Sequence, residues 1–239
     1  MILIDTERLP RNLDPGWTRR TGMGLRLLFW ATFVVPFLSS LGEFWVRMVM
    51  QLMGSKDADG WAIQWATYSP VVTLVATAIA ALGVWVITSK AHLKEAHPGA
   101  TGRLIRPVVG LWLVLCTVDA AASLSGFRLS SEIYLWFREL CLTATAVLLF
   151  VHMGALADRL DQYPIQAMTR VMILYVVGRI ITRILGILLA GTAVGAVVNP
   201  VLAIGEIALS LVTIVGVLIA AGRLHRVIQL ASVPSENTQ

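Results

Sequence analysis

Charged residues are scarce in this chain. Of its 239 residues only 14% are Asp, Glu, Lys or Arg while 57% are hydrophobic, against about 25% charged in soluble domains. Together with a mean hydropathy of +0.77, that shortage excludes a soluble globular domain. Cysteine is scarce too. Cys116 and Cys141 both fall inside apolar runs, so they read as small core residues rather than a disulfide framework. Of the four histidines only His152 enters an apolar run, near its end. A bis-histidine haem, which needs two deep imidazoles on different helices, is thereby excluded. His92, Glu95 and His97 form H-x-x-E-x-H, a spacing that matches no familiar metal site and reads as a solvated loop.

Catalytic motifs are missing as well. There is no G-x-S-x-G elbow, phosphate-binding glycine loop, C-x-x-C or H-E-x-x-H. Asp119 is the sole aspartate in any apolar run, which rules out an intramembrane aspartyl dyad. No catalytic, cofactor or metal residue is expected, and nothing in the motifs argues for an enzyme. The net charge of +5 accompanies no basic patch interleaved with aromatics; the expected partner is lipid headgroups rather than nucleic acid. An early apolar segment is also lacking. The first strongly apolar stretch begins near Gly24, after Arg8, Arg11, Arg19 and Arg20, so it reads as a retained anchor rather than a cleaved signal.

What the chain does have is long apolar runs. A spanning helix needs about 20 mainly apolar residues, and six windows reach or nearly reach that length: 25–46, 70–89, 107–126, 133–155, 171–192 and 200–222. The expected fold is therefore all-α, a polytopic membrane bundle of six transmembrane helices. Residues 1–23 would form a cytoplasmic N-terminal segment, 24–222 the transmembrane domain and 223–239 a cytoplasmic tail. Pro36 should kink the first span, while Pro70, Pro107 and Pro200 suit first helical turns. Trp61, Trp65 and Tyr68 read as an interfacial aromatic segment between the first two spans.

Orientation follows from the basic residues. With the amino terminus inside, thirteen of the nineteen Lys and Arg lie on the cytoplasmic side; only Arg47, Lys56 and Arg128 lie outside, and Arg138, Arg179 and Arg183 remain within spans. This asymmetry puts both termini in the cytoplasm. The absence of organelle-targeting features suggests a bacterial cytoplasmic membrane.

The remaining charges carry the functional interest. A carboxylate near mid-membrane costs about 3 kcal/mol or more and normally faces a partner, a cavity or a pathway. At 1.5 Å per residue, Asp119, Arg138, Glu139, Arg179, Arg183 and Glu206 fall near one level in the outer half of the bilayer. Arg179 and Arg183 are four apart and share a helix face. Glu43 and Arg47, also four apart, read as an interfacial pair. Such an intramembrane network serves either as a lock on helix register or as a proton or ion relay. A relay leaves one carboxylate unpaired, and Asp119, with no basic residue on its own span, is the expected one.

Two functions fit. Small size, short loops and missing motifs favour an accessory or scaffold subunit of a larger membrane assembly, partnered by other membrane subunits or by copies of itself. The alternative is a small proton- or ion-coupled solute transporter using Asp119 and Glu206.

Overall fold

A computed structural model of the chain describes residues 14–35, 42–54, 58–88, 100–127, 132–189 and 192–231. They form seven helices, with no strand among the described residues: α1 (Pro15–Val35), α2 (Gly42–Leu52), α3 (Ala58–Ile87), α4 (Ala100–Leu124), α5 (Glu132–Arg159), α6 (Tyr163–Leu188) and α7 (Ala193–Ala231). Five of them, α3 to α7, are long and apolar enough to cross a membrane, as in a multi-pass membrane protein.

The first window departs from expectation. α1 begins ten residues before it because Asp14 caps the helix, its carboxylate accepting the Gly16 and Trp17 amides at 3.0 and 3.2 Å, with Pro15 in the first turn. Arg19, Arg20 and Arg26 then lie on α1, and it is not among the five apolar helices. α2 is a separate short helix packed on α3. Pro36 lies outside the described residues.

The other prolines differ as well. Pro70, Pro107 and Pro200 sit inside α3, α4 and α7 rather than in first turns. Each removes one backbone hydrogen bond, a loss that apolar helices packed on neighbours tolerate. The residues before them include good helix formers, so each helix runs on toward its amino terminus. Trp61, Trp65 and Tyr68 accordingly belong to continuous α3 rather than to a separate interfacial segment. The gap expected between the 171–192 and 200–222 windows is likewise helical, with α7 already begun at Ala193.

Six helices close into a ring. α1 packs on α3, α3 on α4, α4 on α5, α5 on α6, α6 on α7, and α7 returns to α1. Ring neighbours run antiparallel: Arg106 meets Thr88 while Ser123 meets Thr67 across α3 and α4, and Arg26 meets His225 while Gly222 lies beside Phe29 across α7 and α1. Between α5 and α6 the connection is only residues 160–162, which forces the reversal there. After α4, Gly126 takes a φ of 73° and Phe127 donates its amide back to Ala122 at 2.8 Å, a cap that glycine adopts without steric cost.

Packing is concentrated at one end. Leu25 and Leu28 of α1, Ile87 of α3, Ile105 of α4, Phe150 and Met153 of α5, Ile165 of α6 and Leu224 of α7 are buried together. The helix ends at this side also carry Arg19, Arg20, Arg103, Arg106, Arg159, Arg170, Arg223 and Arg226; it is the basic end of the bundle. Toward the opposite end Leu188, Val197, Val201 and Ile204 stand exposed, an apolar surface suited to acyl chains.

At the basic end α1 and α3 approach backbone to backbone. A Cβ built on Gly83 would stand 2.9 Å from the Gly24 carbonyl oxygen and 3.1 Å from the Leu28 nitrogen. Gly83→Val should therefore push the two helices apart and destabilise the fold by about 2 kcal/mol, as overpacking does. Gly110→Ala, where a Cβ meets nothing within 4 Å, should stay within about 0.5 kcal/mol of the parent. Unfolding of both variants in detergent checks the contrast.

Candidate functional site

The polar cluster opposite the basic end is organised by α5. Tyr134 and Arg138 are four apart on it and share a face, which turns toward α4. The Tyr134 hydroxyl donates to Asp119 Oδ1 at 2.7 Å, with the Leu115 carbonyl oxygen 3.0 Å away as a second acceptor. Arg138 Nη1 donates to Asp119 Oδ2 at 2.8 Å. Both carboxylate oxygens of Asp119 are thereby occupied. One turn earlier on α4, buried Cys116 lies 3.6 Å from the Thr77 hydroxyl of α3.

Glu139 follows Arg138 and is rotated about 100° round the helix, so it faces α6. Its Oε2 accepts from Arg179 Nη2 at 2.6 Å and pairs electrostatically with Arg183 Nη1 at 3.2 Å. Arg183 Nη1 also reaches Glu206 Oε1 of α7 at 3.3 Å, and Arg179 Nε lies 3.9 Å from the same oxygen. The Arg183 guanidinium sits 5.9 Å from the ring centre of Trp136, a cation–π contact from one turn before Glu139 on α5.

All six charged residues singled out from the sequence thus stand in contact, as two groups on either side of α5. Three acids face three arginines, and the set is neutral. It is neither buried nor open. Glu139 and Arg179 side chains are 17% and 18% exposed, Asp119 19%, Glu206 28%, Arg183 33% and Arg138 39%.

One expectation is overturned. Asp119 is not an unpaired carboxylate, because its cation comes from the next helix rather than its own. α5 runs back along α4 at a register that sets Arg138 beside Asp119. Tyr134 and Trp136 were not singled out beforehand; the Tyr134 and Arg138 spacing of four was the available signal.

The cleft at this cluster, lined by Trp136, Glu139, Leu140, Thr143, Arg179, Ile180 and Arg183, has a volume of about 40 Å³. Organic solutes occupy sites of roughly 300–1,000 Å³, so it admits a few waters or a small ion at most. Elsewhere, Cys116 and Cys141 are buried free thiols. No group of three His, Cys, Asp or Glu residues comes together among the described residues. His92, Glu95 and His97, and the side chains of Glu43 and Arg47, lie outside them.

Because Glu139 serves two guanidiniums and Asp119 one, Glu139→Gln should cost about 2 kcal/mol and Asp119→Asn about 1 kcal/mol. These figures lie below the 3–5 kcal/mol of fully buried pairs because both clusters are partly exposed. Exchanging the charges, Asp119→Arg with Arg138→Asp, should recover most of the loss caused by Asp119→Arg alone. Unfolding free energies of the single and double variants in detergent or bicelles test the order and the rescue.

No protein-family model, no curated protein and no solved structure matches the chain.

Proposed function

We propose that this chain is a structural subunit of a larger membrane assembly, crossing the bilayer six times with both termini on the cytoplasmic side. The α5-centred charge cluster would then lock the helices in register. α1 is the sixth crossing, since it completes the ring between α3 and α7. The basic end faces the cytoplasm, in keeping with the excess of arginine there.

The observation that carries this reading is the complete matching of Asp119, Glu139 and Glu206 with Arg138, Arg179 and Arg183 across four successive helices. A charge cluster with both signs satisfied holds helices together, whereas a relay needs a site that changes occupancy. The small cleft points the same way. The exposed apolar faces of α6 and α7 leave room for neighbouring subunits within the membrane.

A transporter reading rests on a narrower observation. Glu206 is the most loosely held acid, with its closest guanidinium nitrogens at 3.3 and 3.9 Å against 2.8 Å for Asp119. In such a protein Glu206, rather than Asp119, would be the group that gains and loses a proton or cation.

Purification from the native membrane in mild detergent should retain other chains with this one. Asp119→Asn and Glu206→Gln should lower the yield of that assembly while proton flux in liposomes stays at the background of empty vesicles. Flux by the isolated protein that Glu206→Gln abolishes would refute the subunit reading in favour of transport.

A further inference from the structure

At the basic end one arginine is held in an orientation that its own fold does not use up. Arg106 lies in the second turn of α4 and reaches across to the last turn of α3. Its Nε donates to Thr88 Oγ1 at 2.9 Å, and its Nη2 lies 3.5 Å from the Trp85 carbonyl oxygen. Thr88 directs its own hydroxyl proton to the Val84 carbonyl at 2.8 Å, so its oxygen is free to accept. The guanidinium also stacks over the Trp85 ring at 5.0 Å. Three contacts thus fix the plane of the group, all through its Nε and Nη2 edge or its face.

The opposite edge, between Nη1 and Nη2, meets no acceptor among the described residues. Nor does any described carboxylate stand within ion-pair distance of Arg106 or Arg103, since the ion pairs between two described residues belong to the cluster at the other end. Arg103 is three residues before Arg106, on the same side of α4, and is exposed. Trp85 is 56% exposed and ends an apolar helix, the level at which tryptophan meets headgroups.

We infer that Trp85, Thr88, Arg103 and Arg106 form a binding site at the seam of α3 and α4 for the phosphate of an acidic phospholipid. The free fork of Arg106 matches two phosphate oxygens. Arg103 supplies a second positive charge, which favours a headgroup with net negative charge over a zwitterionic one. The exposed Trp85 ring lies against the glycerol and upper acyl region. The site requires only that α3 and α4 cross a bilayer, and it is independent of whether the chain is a subunit or a transporter.

Native mass spectrometry of the full chain, titrated with phosphatidylglycerol or phosphatidylcholine, tests it. Phosphatidylglycerol should bind at least about fivefold more tightly, and Arg103→Gln should remove about fivefold of its affinity, the increment of one basic residue near a membrane surface. Arg106→Gln should remove more, Arg106→Lys should recover part of that loss, and Arg170→Gln, an exposed arginine of α6 at the same end, should change nothing. Should Arg106→Gln fail to fold, Arg103→Gln alone decides. Equal binding of the two lipids, or parental affinity in Arg103→Gln, would overturn the site. Displacement of phosphatidylglycerol by millimolar inorganic phosphate would overturn the assignment to lipid.

Discussion

Glu139 holds two guanidiniums with one oxygen, and much of the polar half of the bundle follows from that contact. A carboxylate removed from bulk water loses hydration worth several kcal/mol, which only close opposite charge restores. Two arginines four residues apart can both reach it only if α6 presents one particular face to α5. Once that face is chosen, Arg183 also lies beside Glu206, and the rotation of α7 against α6 is set with it. Directional charge pairs therefore specify geometry where the apolar side chains around them discriminate poorly between rotations.

The two ends of the ring are held by different forces. At the basic end, close approaches such as Gly24 on Gly83 and a shared cluster of buried side chains supply dispersion contacts over a large area. Between helices in lipid, such packing is the main attraction available to apolar surfaces. At the other end side chains are less buried, and charge pairing supplies the contacts between α4, α5, α6 and α7. A bundle built this way can keep one end tightly fixed while the other depends on ion pairs.

Much of this was legible in the residues themselves. Apolar runs of spanning length located α3 to α7, and the level of the six charges along those runs anticipated that they would share one region. Two kinds of feature escaped. Helix starts were missed because hydropathy does not register the Asp14 cap, and because Pro70, Pro107 and Pro200 were read as first-turn prolines although each helix begins before its proline. The partner of Asp119 was missed because it was sought on the same helix, whereas ion pairing in a bundle depends on how far each residue stands from the turn between two helices. Tyr134 went unnoticed for a related reason: an aromatic near a membrane face reads as an anchor until a carboxylate is found opposite it.

Arg138 and Glu139 are consecutive in α5 yet engage different neighbours, α4 and α6. A torsional displacement of α5 about its own axis would strain both seams at once, one opening as the other is compressed. Any protein or lipid that applied such a torque at one flank would thus be felt at the opposite flank, which makes this helix the mechanical link between the two sides of the molecule.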